Sequence, residues 1–172
     1  VVDSRISYVN VDAVPASLMY SYQYLKHRFP EKKVRILTSE SSPDEDFDFL
    51  IVPAWQLDKL SFRDFDIGIN IESLQEMNQE LVDYYLNYFD DVVKDDGLIY
   101  LVNSREYRFK GTWNIPGNWQ CLLRHRTPRS WTTNHPAEIF RKTKFNQSPQ
   151  NILRTAFFNQ ELGYLRRVGL RS

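Results

Sequence analysis

Two short apolar runs lie close together in this chain, and their spacing limits what it can fold into. Phe49-Leu50-Ile51-Val52 is a strand-like run that stops at Pro53. A linker carrying Leu57, Leu60 and Phe62 follows, and Asp64-Phe65-Asp66 leads into a second run, Ile67-Gly68-Ile69-Asn70. Two buried strands this close cannot be joined by a full helix. The linker must therefore turn at the edge of a sheet.

The flanking sequence supplies further strands and two helices. Ile6 to Val11 alternates apolar and polar residues and ends at Asp12, which predicts a strand. Pro15 suits the first turn of a helix, because it has no N–H to leave unpaired. Ala16–Phe29 carries Leu18, Met19, Tyr22, Leu25 and Phe29 at helical spacing, and Pro30 ends it. Val34–Leu37 is a short strand, and residues 38–48, polar and acidic, read as an exposed loop. Ser73–Met77 is a turn or short helix. Asn78 is placed to cap a helix over Gln79–Val93, with Leu81, Val82, Tyr85, Leu86, Phe89 and Val93 inward. Asp95-Asp96-Gly97 reads as a turn before the strand Leu98–Val102. Farther on, Trp119–Arg124 and Ala137–Arg141 suit an antiparallel strand pair, and Asn151–Arg167 a closing helix.

This alternation predicts an α/β fold, a largely parallel sheet with helices on its faces and an antiparallel C-terminal pair. The expected parallel set is Ile6–Val11, Phe49–Val52, Phe65–Ile69 and Leu98–Val102. Residues 1–172 read as a single domain, large enough to bury a core, and 42% hydrophobic residues fit a folded chain. No apolar run approaches the roughly 20 residues of a membrane helix, and the N-terminus lacks a signal-peptide pattern. The lone Cys121 cannot form an internal disulfide, and no Cys/His metal cluster is present. A reducing, cytoplasmic compartment is expected. Net charge is zero, yet residues 1–96 carry a balance of −10 and residues 97–172 one of +10. The asymmetry fits halves that attract each other, a chance distribution, or a basic half that faces an anionic substrate. The aromatic-and-basic patterns of nucleic-acid modules are absent.

Three stretches carry a family resemblance: Val11-Asp12-Ala13-Val14-Pro15, residues 65–86 with the phrase Glu72-Ser73-Leu74-Gln75-Glu76-Met77, and Gly97–Asn103. In these the chain resembles the sugar O-methyltransferases, a Rossmann-like family dependent on S-adenosylmethionine. The likeness spans most of residues 6–142. It implies methyl transfer from S-adenosylmethionine to a hydroxyl of a sugar, nucleotide-sugar or glycan, in polysaccharide or secondary-metabolite biosynthesis. Asp12 falls where such enzymes hold the cofactor ribose with a carboxylate. The residue also suits a helix N-terminus, and the two roles are compatible. Pro53, Ala54 and Trp55 fall at the adenine-side loop. Many family members have an acidic residue at the Pro53 position, so base contact here would be apolar or stacking. For Trp55, packing at a sheet edge is the competing role. Ala13 and Asn70 complete the expected cofactor-binding set.

The resemblance also marks a gap. Such methyltransferases open with a strand and a Gly-rich turn, yet no glycine precedes Gly68. The expectation is that the first strand lies in an omitted N-terminal part and that this piece, the C-terminal part of a longer protein, is inactive alone. Bare strand edges would then favour either self-association into a homo-oligomer or a rearrangement that fills the gap. A sugar hydroxyl is weakly acidic, so methyl transfer needs a base. Candidates at strand carboxyl ends are Asn70, Glu72, Ser73, Glu76, Asn103 and Arg105, with Glu72 or Glu76 favoured and His135 next. His27 and His125 read as structural. No carboxylate spacing demands a metal. A non-catalytic scaffold or interaction domain is the alternative, and a nucleotide-dependent oxidoreductase a third reading.

Overall fold

The computed structural model describes residues 7–42, 46–61, 63–103, 113–126 and 136–144. They form two compact units, Val1–Phe62 and Arg63–Ser172.

In the first unit, β3 (Phe49–Pro53) lies between β1 (Tyr8–Asp12) and β2 (Val34–Ile36), parallel to both. Leu50, Ile51, Val52 and Pro53 are all buried. A central parallel strand covered on both faces needs such an unbroken apolar run. Helix α1 (Pro15–Arg28) starts on Pro15 and ends with Lys26, His27 and Arg28, cations that suit its negative end. Of its expected inward stripe, Leu18 is fully buried and Tyr22, Leu25 and Phe29 are half-buried. Met19 is 50% exposed. The stripe is narrower than its spacing predicted because β2 is a short edge strand that offers little surface. Phe29 stacks on Phe49 with ring centroids 5.3 Å apart.

The linker after β3 is a 3₁₀ helix, Ala54–Lys59, with Leu57 and Leu60 buried. Asp48, just before β3, accepts hydrogen bonds from the Lys33 backbone N–H and the Lys32 ammonium. The Lys33 N–H first, then Lys32, holds its carboxyl below the usual range. Its contribution to stability is present at neutral pH and is lost as the pH falls through that lowered value.

The second unit is a four-stranded sheet in the order β4-β5-β7-β6, formed by β4 (Phe65–Ile71), β5 (Val93–Val102), β7 (Pro136–Lys142) and β6 (Trp119–Arg126). β4 and β5 are parallel, while β7 runs antiparallel to both β5 and β6. The mostly parallel α/β architecture and the antiparallel C-terminal pair are thus as expected. The four parallel strands, however, are divided between two sheets rather than joined in one. Alternation fixes strand direction but not which strands become neighbours. β1 and β4 each pair along one edge only among the described residues.

Helix α2 (Gln79–Val92) joins β4 to β5. Asn78 caps it, its Oδ1 accepting from the Leu81 N–H at 2.9 Å. Val82 and Leu86 are fully buried, in one core with Leu74, Ile99, Leu101, Trp119 and Phe140. Leu81, expected inward, is 46% exposed, because it lies beside the buried stripe rather than on it. At the other end of α2, the Lys142 ammonium reaches the Asp90 and Val93 carbonyls. Trp119 Nε1 and Asn118 Nδ2 both donate to Asp90 Oδ1. The Lys142 contacts pair backbone carbonyls that a helix end leaves open.

Asp95-Asp96-Gly97 is not a turn before β5 but lies within it. Phe65 pairs with Val93 and Ile67 with Leu98, so the intervening residues of β5 bulge out of the ladder. Asp96 takes a φ of 62° there. A Cβ on Gly97 would lie 2.6 Å from Val93 Cγ1 and 2.8 Å from the Lys94 carbonyl oxygen. The closing helix expected at Asn151–Arg167 lies outside the described residues.

One face of β4 carries Gly68 against α2. On the other, Ile67, Ile69 and Ile71 are 52–56% exposed. A Cβ on Gly68 would stand 2.7 Å from Phe89 Cδ1 and 3.1 Å from Val93 Cγ2. Gly68→Ala is therefore expected to lower stability by roughly 1–3 kcal/mol. Asn78→Ala, which removes the cap, is expected to cost about 1 kcal/mol. Urea denaturation measures both, and an unchanged midpoint for Gly68→Ala would show that α2 is not seated on β4.

Candidate functional site

The chemistry-bearing residues gather at strand carboxyl ends, where open α/β sheets bind ligands. Each unit has one such group, described separately.

In the first unit, parallel register sets Asp12 opposite Pro53 at the ends of β1 and β3. The Asp12 carboxylate turns toward the start of α1. Oδ1 accepts from the Val14 N–H at 2.8 Å, and Oδ2 accepts from Ser17 Oγ at 2.6 Å. The helix-starting role is therefore occupied. An ionised carboxylate has about four acceptor positions, so one bond to each oxygen leaves capacity for further donors. Ala13 is exposed and Ala54 half-buried. Pro53 is buried and has no N–H. Trp55, at the start of the 3₁₀ helix, is 64% exposed. Packing inside a sheet edge is thereby corrected for Trp55: the 3₁₀ turn buries Leu57 and Leu60 and turns the indole outward.

In the second unit, β4 ends at Ile71 and β5 at Val102, paired in register. Glu72 follows with φ of 57°, and its N–H donates to the Val102 carbonyl at 2.7 Å. This left-handed residue reverses the chain into the 3₁₀ turn Leu74–Glu76. Its hydrogen bond ties the chain just after β4 to the end of β5. The Glu72 and Glu76 side chains are both exposed.

Between the strand ends is a chain of polar side chains. Asn103 Nδ2 donates to Asn70 Oδ1 at 3.0 Å, and Asn70 Nδ2 donates to Ser73 Oγ at 2.6 Å. Asn103 is 4% exposed, and its Oδ1 is buried with no hydrogen-bond partner among the described residues.

The second unit therefore brings Asn70, Glu72, Ser73, Glu76 and Asn103 to one end of β4 and β5. Asn70, expected to contact a cofactor, has its amide engaged by Asn103 and Ser73. His135 and Arg105 lie outside the described residues. Gln75 carries no role in the sequence reading, yet it is only 7% exposed. A single polar residue in a short 3₁₀ turn has no periodicity to announce burial. Among the described residues, no three His, Cys, Asp or Glu side chains gather as metal ligands would.

No family model and no curated protein matches this sequence. Solved structures do match in fold. One is described as "Putative methyltransferase yhhF from Escherichia coli", at a TM-score of 0.53 and 11% identity, covering 80% of this chain and 63% of that one. The PH0226 protein from Pyrococcus horikoshii OT3 matches at a TM-score of 0.50 and 15% identity, covering 80% of this chain and 72% of that one. A third structure, described as "Conversion of a Disulfide Bond into a Thioacetal Group during Echinomycin Biosynthesis", has a TM-score of 0.51 and 10% identity, covering 87% and 71%. The chain spans less than two thirds of the Escherichia coli protein. At these identities the likeness is one of fold alone, a Rossmann-like α/β fold that a structure described as a methyltransferase also has.

Glu72 offers a direct test of the local geometry. Its left-handed backbone costs a side-chain-bearing residue roughly 1–2 kcal/mol, which glycine avoids in part. Glu72→Gly is expected to unfold at the same urea concentration as the parent or a higher one. Glu72→Val, which is β-branched, should lose about 1–2 kcal/mol. The reverse order would show that the chain reversal at Glu72 is wrong.

Proposed function

We propose that this protein transfers a methyl group from S-adenosylmethionine to a hydroxyl of a sugar, nucleotide-sugar or glycan in the cytoplasm. The carrying observation is a methyltransferase-type fold with the Asp12 carboxylate at the end of β1, beside the end of β3. The likeness of Val11–Pro15 and Glu72–Met77 to sugar O-methyltransferases supports the acceptor class. No helix among the described residues is long and apolar enough to cross a membrane.

The residues present fit the cofactor's chemistry. Asp12 retains acceptor capacity for a pair of ribose hydroxyls, and the exposed Trp55 indole offers a face to a purine. The cofactor supplies an activated methyl group; the protein positions the acceptor oxygen and takes its proton. Glu72 and Glu76 are the carboxylates at the ends of β4 and β5 suited to that second task, with His135 the next candidate. A non-catalytic role draws support from one specific observation: both Asp12 oxygens already hold α1, so the residue has a structural reason to be acidic.

The test uses the intact gene product. S-adenosylhomocysteine should raise its melting temperature and NAD should not; the reverse result would replace methyl transfer with oxidoreduction. Asp12→Asn keeps an acceptor for the Val14 N–H but loses the charge. It is expected to weaken cofactor binding by roughly 1.5–3 kcal/mol. Glu72→Gln and Glu76→Gln should leave cofactor affinity nearly intact, and the one at the base should lower turnover about 100-fold. If both keep full turnover, the proton goes elsewhere and His135 is the variant to make. If Asp12→Asn binds cofactor as tightly as the parent, the ribose role is wrong and the scaffold reading gains.

A further inference from the structure

The amide of Asn103 is spent at one end only. It stands immediately after β5 and is 4% exposed. Its Nδ2 is committed to Asn70 Oδ1 at 3.0 Å, and Asn70 in turn to Ser73 Oγ at 2.6 Å. Its Oδ1 has no hydrogen-bond partner among the described residues. Leaving a buried amide oxygen unpaired costs free energy, and native folds keep few such groups. The rest of the β5 end pays no such penalty: Leu101 and Val102 are buried and apolar, and the Val102 carbonyl is paired with the Glu72 N–H.

The direction of this hydrogen-bond chain narrows what would satisfy it. Amide oxygen and nitrogen can exchange places, so the chain has two self-consistent polarities. In one, Asn103 offers an unpaired acceptor. In the other, Ser73 Oγ donates to Asn70, Asn70 Nδ2 donates to Asn103 Oδ1, and Asn103 is left with unpaired N–H donors. A carboxylate satisfies only the second polarity and an ammonium only the first. A hydroxyl donates and accepts, so it satisfies either. Asn103 itself follows the carboxyl end of β5, next to the last residues of the parallel strand β4, and such strand ends are where α/β sheets bind ligands.

We propose that Asn103, held by Asn70 and Ser73, is a hydroxyl-binding residue that positions the acceptor alcohol at the ends of β4 and β5. This deepens the sugar-methylation reading and rests on it for the identity of the hydroxyl as the acceptor. An amide is not a base at neutral pH, so Asn103 orients the alcohol and leaves proton removal to a neighbouring group. It is a positioning residue for the reaction.

The test is a side-chain amide NMR titration of the intact gene product. The probes are methyl glycosides of glucose, galactose and mannose, with tetrahydropyran as a ring of the same kind lacking hydroxyls. At least one glycoside should shift the Asn103 side-chain resonances saturably, and tetrahydropyran should not. Asn103→Leu should weaken that glycoside's binding about tenfold or more. Ser73→Ala, which leaves the Asn103–Asn70 bond in place, should change it far less and guards against a folding defect in the first variant. The proposal is overturned if no glycoside moves the Asn103 signals, if tetrahydropyran moves them equally, or if they show only contact with a trapped water that sugars do not displace. S-adenosylhomocysteine binding, measured by calorimetry on the same sample, separates the two ideas. Cofactor binding without a glycoside effect sinks the Asn103 site alone. A glycoside effect without cofactor binding sinks methyl transfer and leaves the hydroxyl site standing.

Discussion

The close approach of α2 to β4 at Gly68 sets the geometry of the second unit. Phe89 occupies the space that any side chain on residue 68 would need. A crossover helix can sit deep against its strand only where the strand offers no Cβ. With α2 at that depth, Val82 and Leu86 are fully buried and Leu74 joins the same core from the 3₁₀ turn. The short connection from Glu72 to Asn78 is therefore drawn across the strand ends. That brings Ser73 within hydrogen-bond distance of Asn70.

Stability and polarity are arranged in opposition along β5. The strand buries Ile99, Leu101 and Val102 and then places an almost fully buried amide at Asn103. A leucine there would remove the idle amide oxygen, but it would also take the donor away from Asn70 Oδ1. Fold stability alone does not account for an asparagine with an idle oxygen. Proteins carry such penalties at sites where a ligand later completes the hydrogen bonds. Asp12 shows the other arrangement. Its oxygens are each satisfied within the protein, so it serves the fold whether or not a ligand is present.

Much of the secondary structure was legible because the physics behind it is local. Pro15 at the start of α1, the Asn78 cap, the unbroken run of β3 and the antiparallel β6–β7 pair all follow from short stretches of chain. Asp95 to Gly97 lies in a bulge rather than a turn: Asp, Asp and Gly suit both, and a partner strand stabilises the bulge. Only the pairing of Phe65 with Val93 distinguishes the two. Met19 and Leu81 were assigned inward on spacing, which says which positions share a face but not how wide the partner surface is. Of the candidate site, the sequence indicated the residue types at the strand ends. It could not indicate that Asn70 is held between Asn103 and Ser73.

The sequence by itself determined the order and direction of the strands, the extent of both helices to within a residue or two, and the chemical groups that follow each strand. Periodicity, capping and proline placement act over a few residues, so they survive without knowledge of the partner. Tertiary structure alone decided which strands became neighbours, that the Trp55 indole faces outward, and that Lys142 closes the end of α2 from the end of β7. It alone decided that the Asn103 oxygen is buried without a donor. Each of these depends on the distance between residues far apart in the chain, which no local pattern encodes.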